Sequence, residues 1–190
     1  PNCFGIRSRE TRNSWASTSS GSTVRVARRP SVFQEIMNDK EYLQIAIEEA
    51  RKSAEAGGFP AGAVIVKDGE IIATSGSGKE DSHDPTAHAE TSAIRKACEK
   101  LGTSNLEGTT MYESLQACLM CFSVANWAKV SKIVFAAKKT QDMVAKGYYE
   151  GITDEERVNQ ENTHPIEVVH LSELEQESLQ VVKDWEEQTD

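Results

Sequence analysis

Three side chains that bind metal and one that can carry a proton stand at fixed offsets in this chain: His88-Ala-Glu90, then Cys118-Leu-Met-Cys121. Two cysteines three residues apart share one face of a helix, and at the first turn the free amides and the positive helix end favour thiolate over thiol. The histidine must reach the same point from well upstream, so the fold has to bring two separate helix starts together. One nitrogen and two sulfurs suit zinc, and three protein ligands leave a fourth position open for water. A structural site normally closes with four ligands, and no second C-x-x-C pair exists here to complete one. Glu90 lies two residues past a ligand, placed for proton transfer, a contribution of typically about 10²- to 10⁴-fold. The chemistry permitted is hydrolytic attack on an sp² carbon with loss of an amine.

The elements around these residues are readable from local signals. Asn38 followed by Glu41 is an Asn variant of the capping box, and Tyr42, Ile45, Ala46, Ala50 and Ala54 repeat at helical spacing until Gly57-Gly58. Ala61–Val66 and Ile71–Thr74 are short apolar runs, and the Asp68-Gly69 between them supplies the positive φ angles of a tight hairpin. Asp84 as cap and Pro85 at the first position predict a second helix ending at Gly102. Thr109–Ser114 and Lys132–Ala137 read as strands flanking a third helix over Cys118–Lys129, an order that predicts parallel crossovers. Ile166–Leu171 reads as a last strand and Ser172–Glu187 as a last helix, whereas residues 138–165 give no clear pattern. The expected architecture is α/β, with helices on both faces of a mixed sheet of about five strands.

Residues 1–36 differ from the rest: rich in Ser, Thr and Arg, with only Glu10 and Glu35 as acids. Such a stretch buries little apolar area and is expected to be a flexible extension, either an organelle transit peptide or a segment upstream of a start at Met37. Residues 37–190 are then one domain of ordinary size. The net charge of −9 disfavours a polyanionic partner and fits a small, near-neutral substrate. Of four cysteines only two have ligand spacing, and Cys3 and Cys98 form no disulfide framework, which favours a reducing, cytoplasmic setting. Cys98 shares a helix face with Ile94, Ala97 and Leu101 and reads as a small buried hydrophobe; His83, His164 and His170 read as solvated or structural. No run approaches the roughly 18 apolar residues of a membrane span, so a soluble protein is expected.

Asp84-Pro-Thr-Ala-His88-Ala-Glu90 with Cys118-Leu-Met-Cys121 resembles the zinc-dependent cytidine-deaminase-like superfamily, whose signature is H-x-E followed by P-C-x-x-C. Phe59–Val66, Thr91–Leu101 and Asn126-Trp127-Ala128 resemble its branch of guanine, cytosine and tRNA adenosine deaminases, the guanine deaminases especially. The resemblance implies a three-layer α/β/α fold and one zinc per chain held by His88, Cys118 and Cys121, with Glu90 as proton shuttle. It also implies substrate contacts from Ser77, Ala89, Phe59 and Trp127, a nucleobase or nucleoside substrate with guanine or cytosine favoured, and a homodimer. Tyr148, Tyr149 and Trp185 are candidates for a C-terminal lid. The chain departs from the pattern at Ala117, where the family has proline, at Gln116 in place of the common glutamate, and at Ser77 in place of an asparagine. The acidic pair of guanine deaminases is not evident over Ala145–Tyr149. Two rival readings stay open: a tRNA adenosine deaminase, which needs a basic groove, and a non-catalytic, zinc-stabilised partner subunit, for which Glu90 would have no use.

Overall fold

The computed structural model describes residues 37–78, 83–153 and 155–189. The expected extension over residues 1–36, with Cys3, lies outside them. Helix α1 (Asp39–Glu55) starts as its capping box predicts: the Glu41 amide donates to Asn38 Oδ1 at 3.1 Å, and the Asn38 amide donates to Glu41 Oε2 at 2.7 Å. Its apolar face, Tyr42, Leu43, Ala46, Ile47 and Ala50, is buried.

Strands β1 (Gly62–Lys67) and β2 (Glu70–Gly76) form an antiparallel hairpin. Asp68 and Gly69 turn it with φ of 51° and 80°, the two positive values a tight, twist-matched hairpin needs. The Tyr42 hydroxyl donates to the Gly69 carbonyl at 2.7 Å and fastens α1 to this turn. Strand β3 (Thr109–Leu115) lies antiparallel to β1, and β4 (Lys132–Ala137) and β5 (Glu167–His170) follow in parallel, giving the order β2-β1-β3-β4-β5. The sheet is thus mixed and five-stranded, as expected.

Alternation along the strands feeds two cores. Val64, Val66, Tyr112, Val134 and Ala136 face α1 and the closing helix α6 (Glu175–Thr189), which contributes Val181. Ile65, Met111, Leu115 and Ile133 face α2 (Ala89–Leu101) and α3 (Leu119–Trp127), which contribute Ala93, Ala97, Cys121 and Phe122. Gly62 marks the closest approach between layers: a Cβ there would meet the Ala46 carbonyl oxygen at 2.1 Å and the Ala50 nitrogen at 2.5 Å. The backbone of α1 therefore rests directly on β1.

Helix α2 begins at Ala89, not at Pro85, because Asp84 spends its side chain on a local turn: Oδ1 accepts from the Thr86 amide at 2.8 Å and from its hydroxyl at 2.6 Å. The Gly78 amide then donates to the Ala87 carbonyl at 2.7 Å, drawing the chain toward the end of β2 and leaving His88 extended. The unreadable stretch holds α4 (Gln141–Ala145) and α5 (Glu155–Glu161), both too short for a periodic apolar face. Side-chain bonds hold it instead: Asn159 exchanges two 2.8 Å hydrogen bonds with the Ile166 backbone, and Lys139 pairs with Glu155. Among the described residues, no helix is long and apolar enough to cross a membrane.

Candidate active site

Two helix starts meet where the sequence requires. His88 and Cys118 are both extended N-cap residues, with ψ of 160° and 165°, so each side chain leaves at the helix end instead of along its flank. His88 Nδ1 lies 3.6 Å from Cys118 Sγ and 3.5 Å from Cys121 Sγ. Tetrahedral zinc, with bonds near 2.3 Å to sulfur and 2.0–2.1 Å to nitrogen, sets sulfur and nitrogen about 3.6 Å apart. The donor set therefore fits the ion in chemistry and in spacing.

Local electrostatics favour the same reading. Pairing with Cys121, followed by His88 and the Cys121 amide, brings Cys118 down to about 4, while that pairing and burial push Cys121 up; the two thiols share one proton. His88 is raised, chiefly by its contact with Cys118. Glu90, 7% exposed, is pushed up to about 7 by burial, with the backbone amide at its own position opposing the rise. A carboxyl poised near neutrality can both accept and deliver a proton.

His88, Glu90 and Cys118 open onto a cleft of about 1100 Å³. Phe59 and Ser77 line it, as expected of substrate contacts, and so do the lid candidates Tyr148, Tyr149 and Trp185. Phe59, Tyr148 and Trp185 form a mutual edge-to-face trio with centroids 5.2 to 5.7 Å apart. The other two expected contacts are not brought to the cleft. Ala89 is wholly buried at the start of α2, and Trp127 stands 86% exposed at the end of α3, outside the lining of its own chain's cleft. His83 is exposed at the cleft mouth, Cys98 on α2 is half-buried against the core, and His170 stacks on Phe135 at 5.0 Å.

Several residues around the site have hydrogen-bonding roles that the sequence does not show. Gln116 is a hub: its Nε2 donates to Glu155 at 2.7 Å, its Oε1 accepts from the Lys139 amide at 3.1 Å, and its carbonyl accepts from the Tyr149 hydroxyl at 2.8 Å. Burial first, then the neighbouring carboxylates, raise Tyr149, which keeps it a donor. Glu150 caps α3 by accepting from the Leu119 amide at 2.8 Å. Glu113, on the site face of β3, accepts from the Ala117 amide at 3.1 Å. For Glu113 the available signal is an acid inside a strand that otherwise reads as core.

The sequence model of the cytidine and deoxycytidylate deaminase zinc-binding region matches residues 36–137. A tRNA-specific adenosine deaminase of Aquifex aeolicus is 42% identical over 101 residues, 53% of this chain and 67% of its own. A guanine deaminase of Bacillus subtilis is 40% identical over 140 residues, 72% of this chain and 89% of its own. A solved tRNA:A34 deaminase, studied for A-to-I editing at the wobble position, superposes with a TM-score of 0.64 at 30% identity, covering 75% of this chain and 99% of its own.

Proposed function

We propose, since the chain belongs to the cytidine and deoxycytidylate deaminase zinc-binding family, that it hydrolytically deaminates a free nucleobase or nucleoside, guanine or cytosine before others. The observation that carries this reading is the wall of the cleft. Phe59, Tyr148 and Trp185 offer ring edges and faces to a flat heterocycle, while the described residues lining the cleft include the acids Glu55, Asp84 and Glu90 and the imidazoles His83 and His88, and none is Lys or Arg. Among the described residues, such a lining suits an uncharged ring better than a phosphate backbone.

His88, Cys118 and Cys121 would hold zinc, which when bound makes water nucleophilic at neutral pH. Glu90 takes one proton from the attacking water on a carboxylate oxygen and gives it to the ring nitrogen, then takes the proton left on the new hydroxyl and gives it to the departing amine, so that the carbon keeps a carbonyl oxygen and ammonia leaves. Its burial keeps bulk solvent from competing for those protons. The aromatic trio and Tyr149 hold the ring beside Glu90, and Ser77 at the end of β2 offers a hydroxyl to its polar edge.

A tRNA adenosine deaminase is the second reading, supported by the Aquifex relative and the wobble-editing structure. Ammonia release from guanine, guanosine, cytosine, cytidine, adenine and a tRNA transcript separates the two. Turnover of a free base or nucleoside is expected; turnover confined to tRNA would overturn the preference, and no turnover at all would favour a partner subunit. The expected homodimer would cover exposed surface such as Trp127, and light scattering that finds only monomer would refute it.

A further inference from the structure

Glu113 is a costly residue for the fold. It sits on β3 at 1% exposure, between the pairings of that strand with Ala63 and Phe135, and one of its oxygens, Oε1, has no hydrogen-bond partner among the described residues. A valine would fill a strand interior without that desolvation, so the carboxyl destabilises the sheet unless its other oxygen does something useful. That oxygen makes one bond: Oε2 accepts at 3.1 Å from the amide of Ala117, the residue immediately ahead of the ligand Cys118.

We propose that Glu113 is a positioning residue for the metal-binding turn, holding by a hydrogen bond the peptide that a proline would hold by its ring. Alanine at 117 leaves φ free and presents an N–H that proline lacks. A free turn on the approach to Cys118 would let Sγ wander relative to Cys121 and His88. The Glu113 carboxyl removes both problems together, pairing the amide and pinning the turn to the central sheet. The neighbouring peptide is secured as well: the Gln116 amide donates to the Ala137 carbonyl at 2.8 Å, so residues 116 and 117 are tied to β4 and β3 respectively. Partners of this kind, one step behind a ligand, typically change metal affinity or activity by about 10- to 100-fold when removed.

The proposal rests on the zinc-site reading, and the experiment tells their failures apart. Zinc affinity is measured by competition with a chromophoric chelator, and ligand geometry by the visible spectrum of the cobalt(II)-substituted protein, for the parent and for Glu113→Gln, Glu113→Val, Ala117→Pro and the double variant Glu113→Val/Ala117→Pro. Glu113→Gln, which keeps an acceptor, should bind zinc nearly as the parent does. Glu113→Val should lose about 10- to 100-fold in affinity and shift the cobalt spectrum. Ala117→Pro alone strands the carboxyl and should lower thermal stability. The double variant should recover both affinity and spectrum, with thermal stability at least that of the parent. Affinity in Glu113→Val equal to the parent's, or additive losses in the double variant, would overturn the role of Glu113 while leaving the metal site standing. If Glu113→Val does not fold, parent-like affinity in the double variant supports the proposal and weakened affinity refutes it. Failure of the parent to take up one zinc per chain would refute the site itself.

Discussion

Replacing Lys139 with methionine should destabilise the protein more than any surface change, and the structure sets the size of the effect. Lys139 and Glu155 form an ion pair whose side chains are only 2% and 8% exposed. Methionine keeps the apolar stem but removes the charge, leaving Glu155 with the Gln116 amide at 2.7 Å and Thr153 without the ammonium that donates to it at 2.8 Å. Breaking one side of a buried pair costs about 3–5 kcal/mol, because the abandoned charge stays desolvated. Against a total stability of about 5–15 kcal/mol that is a large share. At about 2–4 °C per kcal/mol for a domain of this size, Tm should fall by roughly 6–20 °C in thermal unfolding followed by circular dichroism. Lys139→Met/Glu155→Leu should regain most of the loss, since removing both charges removes the penalty. A single variant within about 1 kcal/mol of the parent, or a double variant no better than the single, would refute the argument.

Glu90→Gln should retain zinc and lose about 10²- to 10⁴-fold in kcat, and an active variant would end the proton-shuttle assignment. In metal-stripped protein the Glu90 contribution to stability should fall as pH rises, against the rise from Cys118, whose thiol is brought down to about 4. Glu90 has its folded value raised from 4.5 to about 7, so the stabilisation is complete below 4.5 and is lost as pH climbs through 7. Across that window the urea midpoint of the parent should drop relative to that of Glu90→Gln, and parallel slopes would refute the assignment. Phe59→Leu keeps bulk but removes a ring from the cleft wall; at about 1–3 kcal/mol per stacked base, KM should rise about 5- to 150-fold with kcat less affected. Unchanged KM would mean that the ring does not meet the substrate.

The sequence reading succeeded where the physics is local and failed where it is not. Asn38 with Glu41 and Asp68-Gly69 are fixed by neighbours a few residues away, and the capping box and hairpin formed where their chemistry demanded. The ligand set was legible because metal coordination imposes spacing on residue types that rarely occur together by chance. Asp84-Pro85 misled because the same capping chemistry serves a turn as readily as a helix, and the Gly78–Ala87 bond that decides between them joins residues on separate segments. Gln116, Lys139 and Glu155 were invisible as a network because their partnership spans up to 39 positions of chain. Trp127 carried a family likeness but not a location: its place in the sequence does not say whether the ring lies in the cleft, and the end of α3 leaves it 86% exposed, outside the lining of its own chain's cleft.

Gly62 exerts leverage beyond its strand. Since α1 lies against bare β1 backbone there, the depth at which that helix sits is gauged by an atom glycine does not have. The same helix runs out at Glu55, and Glu55, Gly57, Gly58 and Phe59 form one lip of the cleft. Any side chain at position 62 would act as a wedge under the helix and carry that lip outward with it. The aperture through which a substrate passes is thus calibrated on the sheet, by a residue that does not border it.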